Sequence, residues 1–363
     1  MSTGLRVPVA EHLVWANVTR PSTPLIYLDL NTIIYFAREV SGQGGPRGYG
    51  ELLQAVRRAK EEGRVLFPLG EAHLWEVSKI ADPKQRARLT GVIEELSDFN
   101  YLLGRVSIAE LEFDAGIAAV MGEQPRTAAA LIRPTSRQLF ENIDGTSLID
   151  LPEIDRLHAD IANGNPPDPL KVAGTRAFER LLLRGPTDDQ VTELRKDPDY
   201  RPERAIASHK SRVEFERDTK RVLDQEPKWR RGRLRDVIGA REVVHEWGEL
   251  LTRMRLQRVQ EGLPPFIPSD QEFRAFLGAM PHTQVAISIK THLHRNPRHV
   301  WTSNDISDID SMSVAYAYCD VVFPDKAIRQ ALINAKELRA FKTVVPRTPS
   351  DLVEMLDGLQ RPA

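Results

Sequence analysis

Short apolar runs alternate with stretches of helical period at both ends of the chain, whereas the middle carries helical patterns almost alone. Leu25-Ile-Tyr-Leu28 reads as a buried strand running straight into Asp29-Leu30-Asn31, and Thr32 to Val40 as a helix broken by the Gly/Pro-rich stretch Ser41 to Gly50. Leu52, Leu53, Val56 and Ala59 give Glu51 to Glu62 a helical period, which Gly63 ends before a short strand, Val65-Leu66-Phe67. Further helices are expected from Gly70 to Ile80, from Pro83 to about Phe99 and from Ile108 to Met121. Near the other end the pattern predicts a helix over Asp308 to Cys319, a strand at Val321-Val-Phe323 and a helix over Asp325 to Ala340. A strand at Lys342 to Val345 and a last helix from Ser350 to Leu359 complete it.

The stretch from about Pro125 to Pro281 lacks strand signals. Pro152, Pro166, Pro167, Pro169, Pro186, Pro198, Pro202 and Pro227 punctuate it, and Pro264, Pro265 and Pro268 end its longest expected helical run, Val237 to Gln260. Strand–helix alternation at both ends implies an α/β fold. Its parallel sheet is covered on two faces, and ligands are expected beyond the carboxyl ends of the strands. The expected division is 1–122 and 282–363 for the two parts of the sheet domain, with 123–281 as a helical insertion.

Composition narrows the class. The 50 Lys and Arg nearly balance the 51 Asp and Glu of this 363-residue chain, so binding to nucleic acid would need local patches. A single cysteine, Cys319, rules out an intramolecular disulfide. The start of the chain lacks the long apolar segment of a secretory signal, and no apolar run approaches the ~20 residues that cross a bilayer. A cytoplasmic protein without a membrane partner is expected.

Acids gather at the predicted strand ends. Asp29 follows the first strand, Glu76 sits on a later helix, Asp305, Asp308 and Asp310 open another, and Asp320 and Asp325 bracket Val321-Val-Phe323. Carboxylates at 4 Å repel by about 4 kcal/mol per pair at an effective dielectric near 20 unless protons or a cation neutralise them, and a hard cation such as Mg²⁺ relieves that strain. On a helix, Asp308 shares a face with Met312 and Ala315, toward the sheet, and Asp310 shares one with Val314 and Ala317. Asp308 is the favoured ligand and Asp310 the next. Asp305 reads either as a ligand or as a helix N-cap, and Asp320 either as a ligand or as a holder of a neighbouring loop.

In order and in context these elements resemble the PIN-like nuclease family. Leu28-Asp29-Leu30-Asn31 looks like that family's first acidic element, His73-Leu74-Trp75-Glu76-Val77 its second, Asn304 to Met312 its third and Tyr318 to Asp325 its fourth. Pro324 stands where the family usually has a hydroxyl residue or Asp, and Gly70 where it has a small or hydroxyl residue. The resemblance covers about the first 100 and last 80 residues. It implies a three-layer PIN-like sheet and a metal-dependent nuclease, an endoribonuclease of toxin or defence type. Asp29, Glu76, Asp308 and Asp325 would be its catalytic acids, and Mg²⁺ or Mn²⁺ would be held by Asp29, Asp308, Asp310 and Asp325. A catalytically degenerate PIN-like scaffold is the rival. A phosphatase-like enzyme with Asp29 as nucleophile is weaker, because Asn31 stands where its second Asp is usual.

The resemblance implies RNA rather than DNA as the partner, in single-stranded form, with a homo-oligomer or a protein inhibitor as further candidates. Asn31 could bond the Asp29 carboxylate or the substrate. The basic segment before the acidic helix offers Lys290, His294, Arg295 and Arg298 to phosphates, with Trp301 beside them. A second basic run, Lys228 to Arg235, reads as a solvated surface or a backbone grip. His292 and His294 lack zinc partners at suitable spacing, and His245-Glu246 lacks the second His of a zincin helix. Asp114 resembles the third acid of small PIN toxins, but no strand ending in Asp follows at the right distance, so it is read as a surface or helix-start acid.

Overall fold

A computed structural model of the protein describes residues 11–136, 169–197 and 202–361. The expected breaks at Pro152, Pro166, Pro167 and Pro198 lie outside these residues, as does part of the 123–281 segment. The first stretch contains β1 (Val18–Thr19), β2 (Ile26–Leu28), α1 (Leu30–Val40), α2 (Tyr49–Glu61), α3 (Glu71–Ser78) and α4 (Pro83–Ser97). β3 (Tyr101–Leu102), α5 (Arg105–Met121), β4 (Ala129–Ala130) and β5 (Ile132–Arg133) complete it. The middle contributes α6 (Pro169–Arg184), α7 (Asp188–Leu194), α8 (Pro202–Gln225), α9 (Leu234–Glu246), α10 (Gly248–Gln260) and α11 (Asp270–Gly278). The chain ends with α12 (Pro281–Arg295), α13 (Ser303–Tyr318), β6 (Val321–Phe323), α14 (Lys326–Asn334) and α15 (Pro349–Gly358).

The result is a helix-rich α/β chain with short strands, mostly parallel. β2 pairs with β6 in parallel, Leu28 opposite Phe323, so segments from the two chain ends lie side by side. Their alternating side chains explain the burial. Leu25, Tyr27 and Val322 enter one apolar core with residues of α5, α12 and α13, while Ile26, Leu28, Val321 and Phe323 enter another with residues of α1, α2, α4 and α15. Both faces of the pair are therefore dry, which is why these strands read as continuous apolar runs.

Two expected strands shrink to single bridges. Val65–Phe67 touches β2 only through Leu25 and Leu66, and Lys342–Val345 touches β6 only through Val321 and Val344. The expected helix Val237 to Gln260 is two helices meeting at Trp247, whose indole is buried beside Phe113. The longest helix among the described residues is α8. Asp325 to Ala340 likewise divides, into α14 and a 3₁₀ turn over Lys336–Phe341. No helix among the described residues is long and apolar enough to cross a membrane.

Candidate active site

The β2–β6 register sets two acids at one strand edge. The Asp29 amide donates to the Phe323 carbonyl (3.2 Å), and Asp325 follows Pro324 directly after that strand. Asp29 occupies the N-cap position of α1 without capping it through its side chain, and its Oδ2 instead accepts from Asn31 Nδ2 at 3.2 Å. Asp325 caps α14, Oδ1 accepting from the Ile328 amide at 2.8 Å. Its second oxygen makes no hydrogen bond among the described residues. Helices α3 and α13 pack together and carry Glu76 and Asp308 within electrostatic reach of Asp29 and Asp325.

The four carboxylates feel one another. Burial and then the Asp325 charge push Asp29 up to about 6. Glu76 is pushed up to about 7, mainly by burial and then by Asp29, with Lys79 opposing. Asp308 rises to about 9 through burial and the charges of Asp29, Glu76, Asp325 and Asp305. All four are half-buried. Glu76 and Asp308 make no side-chain hydrogen bond or ion pair among the described residues. Interior acids elsewhere are paired: Glu112 with His282 and Tyr318, Glu179 with Tyr101 and Ser136, Glu216 and Glu242 with Lys290.

An unpaired, mutually repelling set of hard oxygens fits Mg²⁺ or Mn²⁺. As the side chains stand, no three His, Cys, Asp or Glu among the described residues are close enough to hold an ion. A cation would have to draw the carboxylates inward.

His73, which the sequence did not flag, braces this edge. Its Nδ1 accepts from the Gly70 amide (2.8 Å), so Nε2 carries the proton and donates to the carbonyl of Leu28 (3.0 Å), the residue before Asp29. Burial lowers its pKa to about 4, so the ring stays neutral. Tyr27 completes the brace, its hydroxyl 3.3 Å from His73 Nδ1. Gly70 suits this close packing, since a Cβ there would stand 3.0 Å from the Tyr27 oxygen and 3.2 Å from its ring, and Tyr27 would have to shift by a few tenths of an ångström. The signal available in sequence was His73 three residues before Glu76, on one helical face.

Other expected site residues lie elsewhere. Asp310 is turned away from the quartet and gripped by Arg212 through both oxygens (2.6 and 2.7 Å), with Arg105 at 3.5 Å. Those guanidiniums hold its pKa below the usual range despite burial. A carboxylate so paired has no unmet charge for a cation to satisfy, which corrects its assignment as a ligand. Asp305 is not the N-cap. Thr302 is, and Asp305 closes its capping box, Oδ2 accepting from the Thr302 amide at 2.7 Å. Asp320 holds a loop, accepting from the Leu25 amide (2.8 Å) and pairing with Arg20. Asp114 lies inside α5, not at a surface or helix start, and accepts from the amides of Arg126 and Thr127.

The expected phosphate contacts divide. Lys290 is 2% exposed and contacts Glu216, Glu242 and Glu246, while His294 is buried against Glu216 (2.8 Å). An ammonium and an imidazole enclosed in this way do not reach a nucleic-acid backbone. Arg295 and Arg298 are exposed. In the run Lys228 to Arg235, Arg230 pairs with Asp224 and Arg235 with Glu337, so these side chains fasten helices together.

Positive charge adjoins the quartet by another route. A groove of about 1420 Å³ is lined by Lys79, Arg86, Arg184, Lys210 and Arg217, with Trp75 and His209 on its wall. Arg86 is committed to backbone carbonyls and Arg217 to the Trp301 carbonyl and to Glu214, which also lines the groove, whereas Lys79, Arg184 and Lys210 have no ion-pair partner among the described residues. Lys79 lies within electrostatic reach of Glu76 and Asp308, although none of the four acids lines the groove itself. Compared with protein-family models, curated proteins and solved structures, the chain matches none.

Proposed function

We propose that this chain is a divalent-metal-dependent endoribonuclease of PIN-like type, acting on single-stranded RNA in the cytoplasm. One observation carries the reading. Four carboxylates from four separate segments lie within electrostatic reach of one another near the end of a parallel strand pair, with no ion pair to Glu76 or Asp308 among the described residues. The three groove cations without an ion-pair partner among the described residues, Lys79, Arg184 and Lys210, support a polyanionic substrate. A three-layer PIN-like sheet is supported by the helices on both faces of β2–β6 and by the parallel bridges flanking it, Leu66 to Leu25 on one side and Val344 to Val321 on the other.

Asp29, Asp308, Asp325 and Glu76 would hold Mg²⁺ or Mn²⁺. When bound, the ion supplies charge neutralisation at the scissile phosphate and acidifies a water for attack. Asn31 restrains the Asp29 carboxylate through its amide. Asp325 is fixed in direction by capping α14, which leaves one oxygen for the site. Lys79, in the groove and within electrostatic reach of the acids, offers an ammonium to the phosphate, and Arg184 and Lys210 offer charge to the flanking backbone. No side-chain nucleophile is needed.

The test is cleavage of mixed-sequence RNA and single-stranded DNA with Mg²⁺ or Mn²⁺, comparing wild type with Asp29→Asn and Asp308→Asn. Loss of about 100-fold or more in both variants is expected. Equal activity in all three, or activity that survives EDTA, overturns the proposal.

A further inference from the structure

Helices α3 and α13, which also carry Glu76 and Asp308, each turn one stripe toward a cavity of about 530 Å³. On α3 the stripe is Glu71, Leu74, Trp75 and Ser78; on α13 it is Ser307, Asp310, Ser311 and Val314. Both follow the i, i+3, i+4, i+7 spacing of a single helical face. Asp308 neighbours this stripe on α13, whereas Glu76 lies on the far side of α3, and none of the four acids lines the cavity.

The lining is chemically specific. Trp75 and His209 stack with centroids 4.2 Å apart and planes within 12°, and both line the cavity as well as the cationic groove. Trp75 Nε1 and His209 Nδ1 are buried without hydrogen-bond partners among the described residues. The Glu71 carboxylate also has no hydrogen bond or ion pair there. Arg105 and Arg212 are anchored by Asp310 and Glu246, and the Nη1 of Arg105 makes no hydrogen bond among the described residues. The cavity thus combines a stacked Trp75–His209 pair, with the Lys79 ammonium 5.2 Å from the Trp75 ring centre, one carboxylate acceptor and fixed guanidinium donors.

A planar heterocycle of purine size, with part of its sugar, suits this volume. A ring that meets a carboxylate along one edge and a guanidinium along another must offer two donors and then acceptors. Guanine does so: N1–H and the N2 amino group donate, and O6 and N7 accept. Adenine and cytosine turn a ring acceptor toward the carboxylate beside their single amino group, and uracil offers one ring N–H.

We propose that this cavity takes a nucleobase and selects guanine, Glu71 accepting from N1–H and N2–H, Arg105 donating to O6 or N7, and Trp75 with His209 forming the stacking wall. Its role in placing the cut rests on the nuclease reading; its ligand does not.

The experiment has two arms. In the first, the metal-free full-length protein is titrated calorimetrically with GMP, AMP, CMP and UMP. GMP binding at least about tenfold tighter than the other three is expected, because a bidentate pair discriminates by that order. Glu71→Gln should reduce GMP to the level of AMP, and Ala72→Phe, which fills the cavity, should abolish binding. In the second, cuts are mapped on mixed-sequence single-stranded RNA. Wild type should cut at one fixed distance from guanosine, and Glu71→Gln should cut without base preference. Equal or absent binding of the four nucleotides overturns the pocket, whatever the nuclease arm shows. Selective GMP binding without RNA cleavage supports the pocket and overturns the nuclease reading alone.

Discussion

Replacing Asp308 by Asn should make the metal-free protein more stable, and more so as the pH rises. Asp308 is pushed up to about 9 from an ordinary 3.8. The unfolded chain therefore releases this proton near pH 4, whereas the folded chain keeps it to about pH 9. Across that window the folded state binds more protons, so stability falls with rising pH. At pH 7, the interval from 3.8 corresponds to up to about 4 kcal/mol at ~1.4 kcal/mol per unit. Partial exposure and coupling to Glu76 and Asp29 reduce this to about 2 kcal/mol. Asn keeps the shape and removes the charge. Thermal unfolding followed by circular dichroism in EDTA should give Asp308→Asn a Tm about 4 °C above wild type at pH 8, at roughly 2 °C per kcal/mol, and nearly equal to it at pH 4. Adding Mn²⁺ should raise the wild-type Tm and leave the variant almost unmoved. A variant that melts below wild type at pH 8, or a difference independent of pH, refutes the reasoning about crowded charge.

Three further outcomes follow from named contacts. His73→Leu leaves the Gly70 amide and the Leu28 carbonyl unpaired, so it should cost about 2–4 kcal/mol in urea denaturation and lower activity in the fraction still folded; an unchanged midpoint contradicts the bracing role. Lys290→Met should destabilise by about 3–5 kcal/mol, because it strands Glu216 and Glu242 in the interior, yet leave RNA affinity of the folded protein intact. A stable variant that had lost RNA binding would restore Lys290 as a phosphate contact. Lys210→Ala should leave stability within about 0.5 kcal/mol and reduce the slope of log affinity against log salt by about 0.7, as expected for one lost single-strand phosphate contact; an unchanged slope places the RNA elsewhere.

The parts of the fold legible in sequence are those where burial is two-sided or periodic. β2 and β6 read clearly because both faces are dry, and α1 through α5 because their apolar residues recur at helical spacing. Residues 65–67 and 342–345 were apolar enough to be read as strands but make one bridge each, since pairing depends on a neighbour that local pattern does not reveal. Asp29, Glu76, Asp308 and Asp325 stand out in the sequence because acids directly after apolar strands, or on helices facing them, are hard to explain as solvated surface, and the structure sets them within electrostatic reach of one another. Asp310, Lys290 and His294 were misread for the opposite reason. Their partners, Arg212, Glu216, Glu242 and Glu246, lie in α8 and α9, far away in sequence, and only three-dimensional packing shows those charges already satisfied. Lys79 and Lys210 escaped notice because isolated lysines on helices carry no motif.

Helix α3 is only eight residues long, yet one of its faces lines a cavity while the opposite face carries Glu76 toward the acids and His73 to the strand behind them. Rotating or sliding so short a rod cannot move one face and spare the others. Variants that reshape Trp75 or Leu74 should therefore trade selectivity against turnover, and an engineer who wants to alter one alone should work from α8 across the gap.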